Sequence, residues 1–148
     1  MKKFKFSLQA VDKYKRTVEK LQAGELRRAR EGLRALEARR AGLLQELAES
    51  GARRAEELER GLPPEEFAAY DRYFVHMRGL GSELAPRIAR AEREVQEREA
   101  SLIRTKNELK AYSKLRDREF LEWSAEAAAE ESRIIGEFVA FNTAVPSD

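Results

Sequence analysis

Few residues of this chain have the type and spacing that covalent chemistry requires. There is one histidine, His76, and no cysteine, so a zinc site or a histidine-based catalytic arrangement lacks its ligands and its base. Acids are numerous, but no carboxylate pair falls in an apolar setting, no nucleophile stands beside a base, and no glycine-rich phosphate loop is present. Glutamates on the polar faces of long helices stay solvated, and a pair of helices offers no cleft that excludes water. The chain therefore reads as a protein that is not an enzyme, with no catalytic, cofactor-binding or metal-binding residue.

What remains is recognition. Residues 1–20 carry seven Lys or Arg against two acids, whereas residues 119–148 carry one Arg against seven acids. The two ends are thus oppositely charged under a net charge of only +2. The basic start includes Phe4, Phe6, Leu8 and Val11 beside Lys13, Lys15 and Arg16, and a second cluster, Tyr70, Tyr73, Phe74 and Met77, concentrates the residue types enriched at binding sites. The lysines call for no nucleic acid, because no RNA- or DNA-binding motif accompanies them.

The elements that must position these groups are helical. Charged residues make up 38% of the chain, against about 25% in an ordinary soluble domain, and the excess is the Glu, Arg, Lys, Ala and Leu mixture of long exposed helices. Leu8, Val11, Val18, Leu21, Leu26, Ala29, Leu33, Leu36, Leu43, Leu47 and Leu58 recur at three- and four-residue steps, apart from one skipped residue between Leu21 and Leu26. Gly61, Pro63 and Pro64 end this first helix, of about residues 7–60. Pro64 with Glu65 and Glu66 opens a short helix over about 64–78, which Gly79 and Gly81 close. A second long helix over about 82–142 follows, with Pro86 in its first turn. Its series is Leu84, Ile88, Ala91, Val95, Leu102, Thr105, Leu109, Tyr112 and Trp123, with Arg98, Arg116 and Glu119 in slots of the same series; Ile134, Ile135, Phe138 and Phe141 continue the pattern until Pro146 stops it.

Each helix would be roughly 80 Å long at 1.5 Å per residue, and neither can bury its stripe alone. The expected fold is all-α: two long helices in an antiparallel coiled-coil hairpin with a short helix in the connection, residues 1–148 forming one domain and Met1 and Asp148 lying at one end. A basic helix start and an acidic helix end each oppose the helix dipole, but side by side they attract, which favours the antiparallel choice. No run of about 18 apolar residues is present to span a bilayer, and the basic start is followed by no apolar signal region. The expectation is a cytoplasmic protein without membrane insertion.

Phe4-Lys5-Phe6-Ser7-Leu8-Gln9-Ala10-Val11-Asp12-Lys13-Tyr14-Lys15 resembles the opening of the FliJ family, small soluble proteins of the bacterial flagellar type III export apparatus. The aromatic group before the second long helix, the stretch from Leu109 to Arg118 and the overall length resemble that family as well, so the resemblance covers nearly the whole chain. The resemblance implies a stalk similar to the gamma subunit of rotary ATPases. Its partners would be the hexameric flagellar export ATPase, the export gate protein FlhA and export chaperones, at the cytoplasmic side of the inner membrane at the flagellar base. The ATPase contacts it implies fall on Phe4, Leu8, Lys13, Arg16, Arg116 and Arg118, and the gate or chaperone contacts on Tyr70, Tyr73, Phe74 and Met77. The middle segment lacks the tryptophan that some family members carry there. Two alternatives stand beside this reading: the equivalent stalk of a virulence type III secretion system, and a generic structural coiled-coil tether.

Overall fold

A computed structural model of the protein describes residues 2–144; the expected helix stop at Pro146 and the expected meeting of Met1 with Asp148 lie outside the described residues. Two helices carry the fold, α1 over Gln9–Arg60 and α2 over Pro64–Ala144. Residues 2–6 are not helical, and a turn at Ser7 and Leu8 leads into α1, where the Leu8 carbonyl accepts from Asp12 N–H at 2.8 Å.

The local chemistry of the connection acts as its residue types require. Gly61 has φ of 95°, a left-handed conformation that a side chain would oppose, and its N–H donates to the Leu58 carbonyl at 3.3 Å. Three residues later α2 begins, with Pro64 as its first helical residue and Glu65 and Glu66 in its first turn. The Pro63 carbonyl accepts from Glu66 at 3.1 Å and from Phe67 at 3.0 Å.

The short connecting helix expected over 64–78 is not a separate element, because its residues are the first turns of α2. Gly79 and Gly81 do not interrupt the helix, and Pro86, expected in a first turn, stands inside it. The physical reason is the stripe that passes through them. Phe74, Met77, Leu84 and Ile88 are all buried and hold three- and four-residue steps through Gly81. Each interior glycine costs about 1 kcal/mol and an interior proline about 3 kcal/mol, whereas each fully buried large apolar side chain contributes about 1.5–3 kcal/mol. Leu84 and Ile88, 4% and 3% exposed, flank the proline. Gly81 also allows a close approach, since a Cβ there would lie 3.4 Å from Leu43 Cδ2.

The chain divides into two compact units: a terminal unit, Met1–Lys20 with Ile103–Asp148, and a central unit, Leu21–Leu102. Within the central unit the helices run antiparallel, as the cross-helix pairs Arg98–Glu25 at 2.7 Å, Arg30–Glu99 at 2.8 Å and Tyr73–Glu46 at 2.8 Å show. Its core is Leu26, Phe74, Met77, Leu84, Ile88 and Leu102. In the terminal unit Lys15 pairs with Glu108 at 2.6 Å, and Trp123 Nε1 donates to the Lys2 carbonyl at 3.0 Å. Chain directions are again opposed there, around buried Phe6, Thr105 and Leu109.

The inward positions of α1 differ from those expected in its first turns. Asp12, Lys15, Glu19, Gln22, Leu26, Ala29, Leu33 and Leu36 form one uninterrupted three-four series of half-buried or buried residues, with no skip. Val11 and Leu21 are 40% and 63% exposed. Residues three and four apart share one face of a helix, and in these turns the face that carries Asp12, Lys15 and Glu19 is the one turned inward. On the same face the Gln22 Oε1 atom is buried with no hydrogen-bond partner among the described residues.

Candidate functional site

In the terminal unit the non-helical start of the chain lies on α2. Phe4 meets Phe120 edge-on with ring centroids 5.3 Å apart, and lies 5.9 Å from the Trp123 ring. The Arg116 guanidinium sits 5.8 Å from the Phe4 ring, and Phe4, Lys5, Phe6, Gln9 and Arg116 line a shallow cleft. Ser7 N–H donates to Glu119 Oε2 at 3.0 Å, and the Ser7 hydroxyl donates to the other carboxylate oxygen. These two hydrogen bonds, the hydroxyl's first, hold the Glu119 carboxyl below its ordinary pKa.

Of the residues implied to contact an ATPase, Phe4 and Arg116 are thus brought together, and Leu8 is half-buried beside the turn into α1. Lys13 and Arg118 are exposed. Arg16 is exposed too, but its Nε donates to Asp12 Oδ2 at 2.9 Å, which raises its pKa. Lys15 is raised in the same direction by its hydrogen bond to Glu108.

From residue 131 to 144 every position of α2 is exposed, although Ile134, Ile135, Phe138, Val139 and Phe141 are all apolar. Val139 was not among the residues named from the sequence, since it lies one step off the series that carries Ile134, Phe138 and Phe141. The seat for Phe4 also escaped it, since Phe120 lies off the seam and no local pattern announces what a non-helical end will touch.

In the central unit the second aromatic group is split by burial. Phe74 and Met77 are 8% and 6% exposed and belong to the core. Tyr70 and Tyr73 are half-buried. Phe74 lies between Tyr73, at 5.6 Å edge-on, and Tyr70, stacked at 6.3 Å, while the Arg54 guanidinium covers its ring at 4.5 Å. The tyrosine hydroxyls point to acids of α1: Tyr73 donates to Glu46, and a hydrogen bond to Glu57 raises the Tyr70 pKa. Ser50, 1% exposed, lines a cleft with both tyrosines. The apolar groups presented outward here are Phe67, Val75 and Leu44, at 43%, 60% and 58% exposed. None of these three was singled out from the sequence; the available sign was an apolar residue one step off the inward series.

Such surfaces are suited to binding. The displaced pKa values follow hydrogen bonds at accessible positions. Among the described residues no group of three or more His, Cys, Asp or Glu is placed to hold a metal, and no helix is long and apolar enough to cross a membrane. Neither a curated protein nor a solved structure matches the chain significantly. A family model does, that of the flagellar FliJ protein, over residues 4–146.

Proposed function

Because the chain belongs to the FliJ family, components of the flagellar export apparatus rather than known enzymes, we propose that it serves as the stalk of the hexameric export ATPase and links it to the gate protein FlhA and to export chaperones. The observation that carries the proposal is the terminal unit's unburied apolar surface. A helix end that exposes Ile134, Phe138 and Phe141 together presents the kind of apolar surface that marks a binding site. In the same unit, Lys13, Arg116 and Arg118 are exposed for contact with a ring lining. An asymmetric pair of helices entering a ring touches its subunits unequally, which favours ring assembly and biases hydrolysis by another protein. In the central unit, the rims of Tyr70 and Tyr73 are the surface for gate or chaperone contact, while the buried Phe74 and Met77 support it from beneath. The working location is the cytoplasmic side of the inner membrane at the flagellar base.

The test is hydrolysis by a flagellar export ATPase with and without this protein, alongside size analysis of the ring. Stimulation with ring formation is expected. Reversing Lys13, Lys15 and Arg16 together would also set an acid against Glu108 and Asp12, so Lys13→Glu with Arg118→Glu is the cleaner variant. It should lower stimulation several-fold with helicity unchanged; undiminished stimulation would remove these residues from the contact.

A further inference from the structure

The strap of residues 2–6 shows that one face of α2 accepts aromatic side chains from a non-helical segment. In it, Lys2, Lys3 and Lys5 are interleaved with Phe4 and Phe6. Phe4 packs on Phe120 and Trp123, and the Lys2 carbonyl accepts from the Trp123 indole. At 100° per residue, Phe120, Trp123, Ala127, Ile134, Phe138 and Phe141 fall within a sector about 60° wide, so they form one continuous stripe. The strap covers this stripe only at its start. Beyond residue 130 none of the described residues covers it: Ile134, Phe138 and Phe141 are 54%, 64% and 67% exposed, over a bare length of roughly 20 Å at 1.5 Å per residue.

Beside the bare part stand Glu126, Glu130, Glu131 and Glu137 against Arg133, and the last turn of α2 holds no basic residue. We infer that the C-terminal turns of α2 are a docking face for a basic amphipathic segment of a partner protein, seated as a continuation of the chain's own strap. The occupant follows from charge as well as from continuity. A second copy would bring acid against acid at this face, and its own Lys-Phe strap is already seated. An anionic membrane surface is repelled by the same glutamates. The inference uses the surface on which the stalk reading rests and adds what that reading leaves open, namely that the partner's contact is an apolar ridge flanked by Lys or Arg.

The experiment measures binding of the full-length protein to a labelled helical peptide with Leu on one face and Lys on the other, and to its Leu/Glu counterpart. The Lys peptide should bind about ten-fold or more tightly than the Glu peptide, and Phe138→Ser with Phe141→Ser should remove about ten-fold of that affinity. A second variant, Glu130→Gln, Glu131→Gln and Glu137→Gln, keeps the apolar ridge and should erase the preference between the peptides. Phe138, Phe141, Glu131 and Glu137 are exposed and Glu130 is half-buried, so circular dichroism should not change. Equal affinity for the two peptides, or binding indifferent to the Phe138 and Phe141 changes, overturns the inference. So does self-association, or attachment to phosphatidylglycerol vesicles, that those same changes abolish. No ATPase is present in this assay, so its failure leaves the stalk reading standing, and absence of ATPase stimulation leaves the peptide result standing.

Discussion

The two units use one architecture, an antiparallel pair of helices, in opposite ways. The central unit buries Leu26, Phe74, Met77, Leu84, Ile88 and Leu102, and its ion pairs lie along the edges of that seam. The terminal unit turns Asp12, Lys15 and Glu19 inward and leaves Val11, Tyr14, Leu121, Ile134, Phe138 and Phe141 in water. A seam with polar residues holds register at some expense of stability, and apolar side chains outside a seam have surface left to bury against another molecule. The central unit is built to hold itself together, and the terminal unit is built to be completed.

The sharpest way to break this comparison is to truncate one apolar side chain in each unit. Ile88→Ala removes a core side chain and should cost about 2–5 kcal/mol in urea denaturation. Phe138→Ala, at an exposed position, should stay within about 0.5 kcal/mol. Equal losses would mean that the C-terminal turns are packed in solution and that the contrast between the units is false.

Smaller in size is the effect of replacing Gly79, which lies in the helix with an open Cβ direction and no left-handed φ. Gly79→Ala should stabilise the protein by about 0.5–1 kcal/mol through helix propensity and reduced unfolded-state freedom. A loss of stability would instead show that α2 bends there and that the continuity of the central seam is overstated.

The smallest expected effect sharpens the description of the strap. Glu119 has its carboxyl pKa lowered by Ser7, so its contribution to holding the strap is present at neutral pH and is lost as pH falls through the lowered value, on the acid side of the ordinary carboxylate range. Trp123, the single tryptophan, reports this as a fluorescence change. Ser7→Ala should move that acid transition toward higher pH without altering helicity, whereas an unmoved transition would separate the strap from Glu119.

Much of the fold was legible in the chain because its signals are local. Helix composition, the stop at Gly61 and the start at Pro64 with Glu65 and Glu66 each depend on atoms within about one turn, and they act as their residue types require. The α2 series from Leu84 to Leu109 was equally readable, because apolar residues occupy nearly every inward slot. Phe4 and Arg116 were named among contact residues and do meet, although the ring platform of Phe120 and Trp123 beneath them was not foreseen.

The amino-acid sequence by itself therefore determined the helical class, the helix stop at Gly61, the helix start at Pro64 and the opposite charges of the two chain ends, since propensity, capping and net charge do not wait for packing. Only the tertiary structure decided three further matters. Gly79, Gly81 and Pro86 remain inside α2 because burial of the stripe around them outweighs their local cost. Asp12 to Gln22 face inward instead of Val11 and Leu21, because facing depends on which side of the helix meets its partner and not on residue type. Finally, Phe74 and Met77 are buried while Phe67, Val75 and Phe138 are exposed, a division that residue type cannot predict because it depends on which side of each helix meets the other.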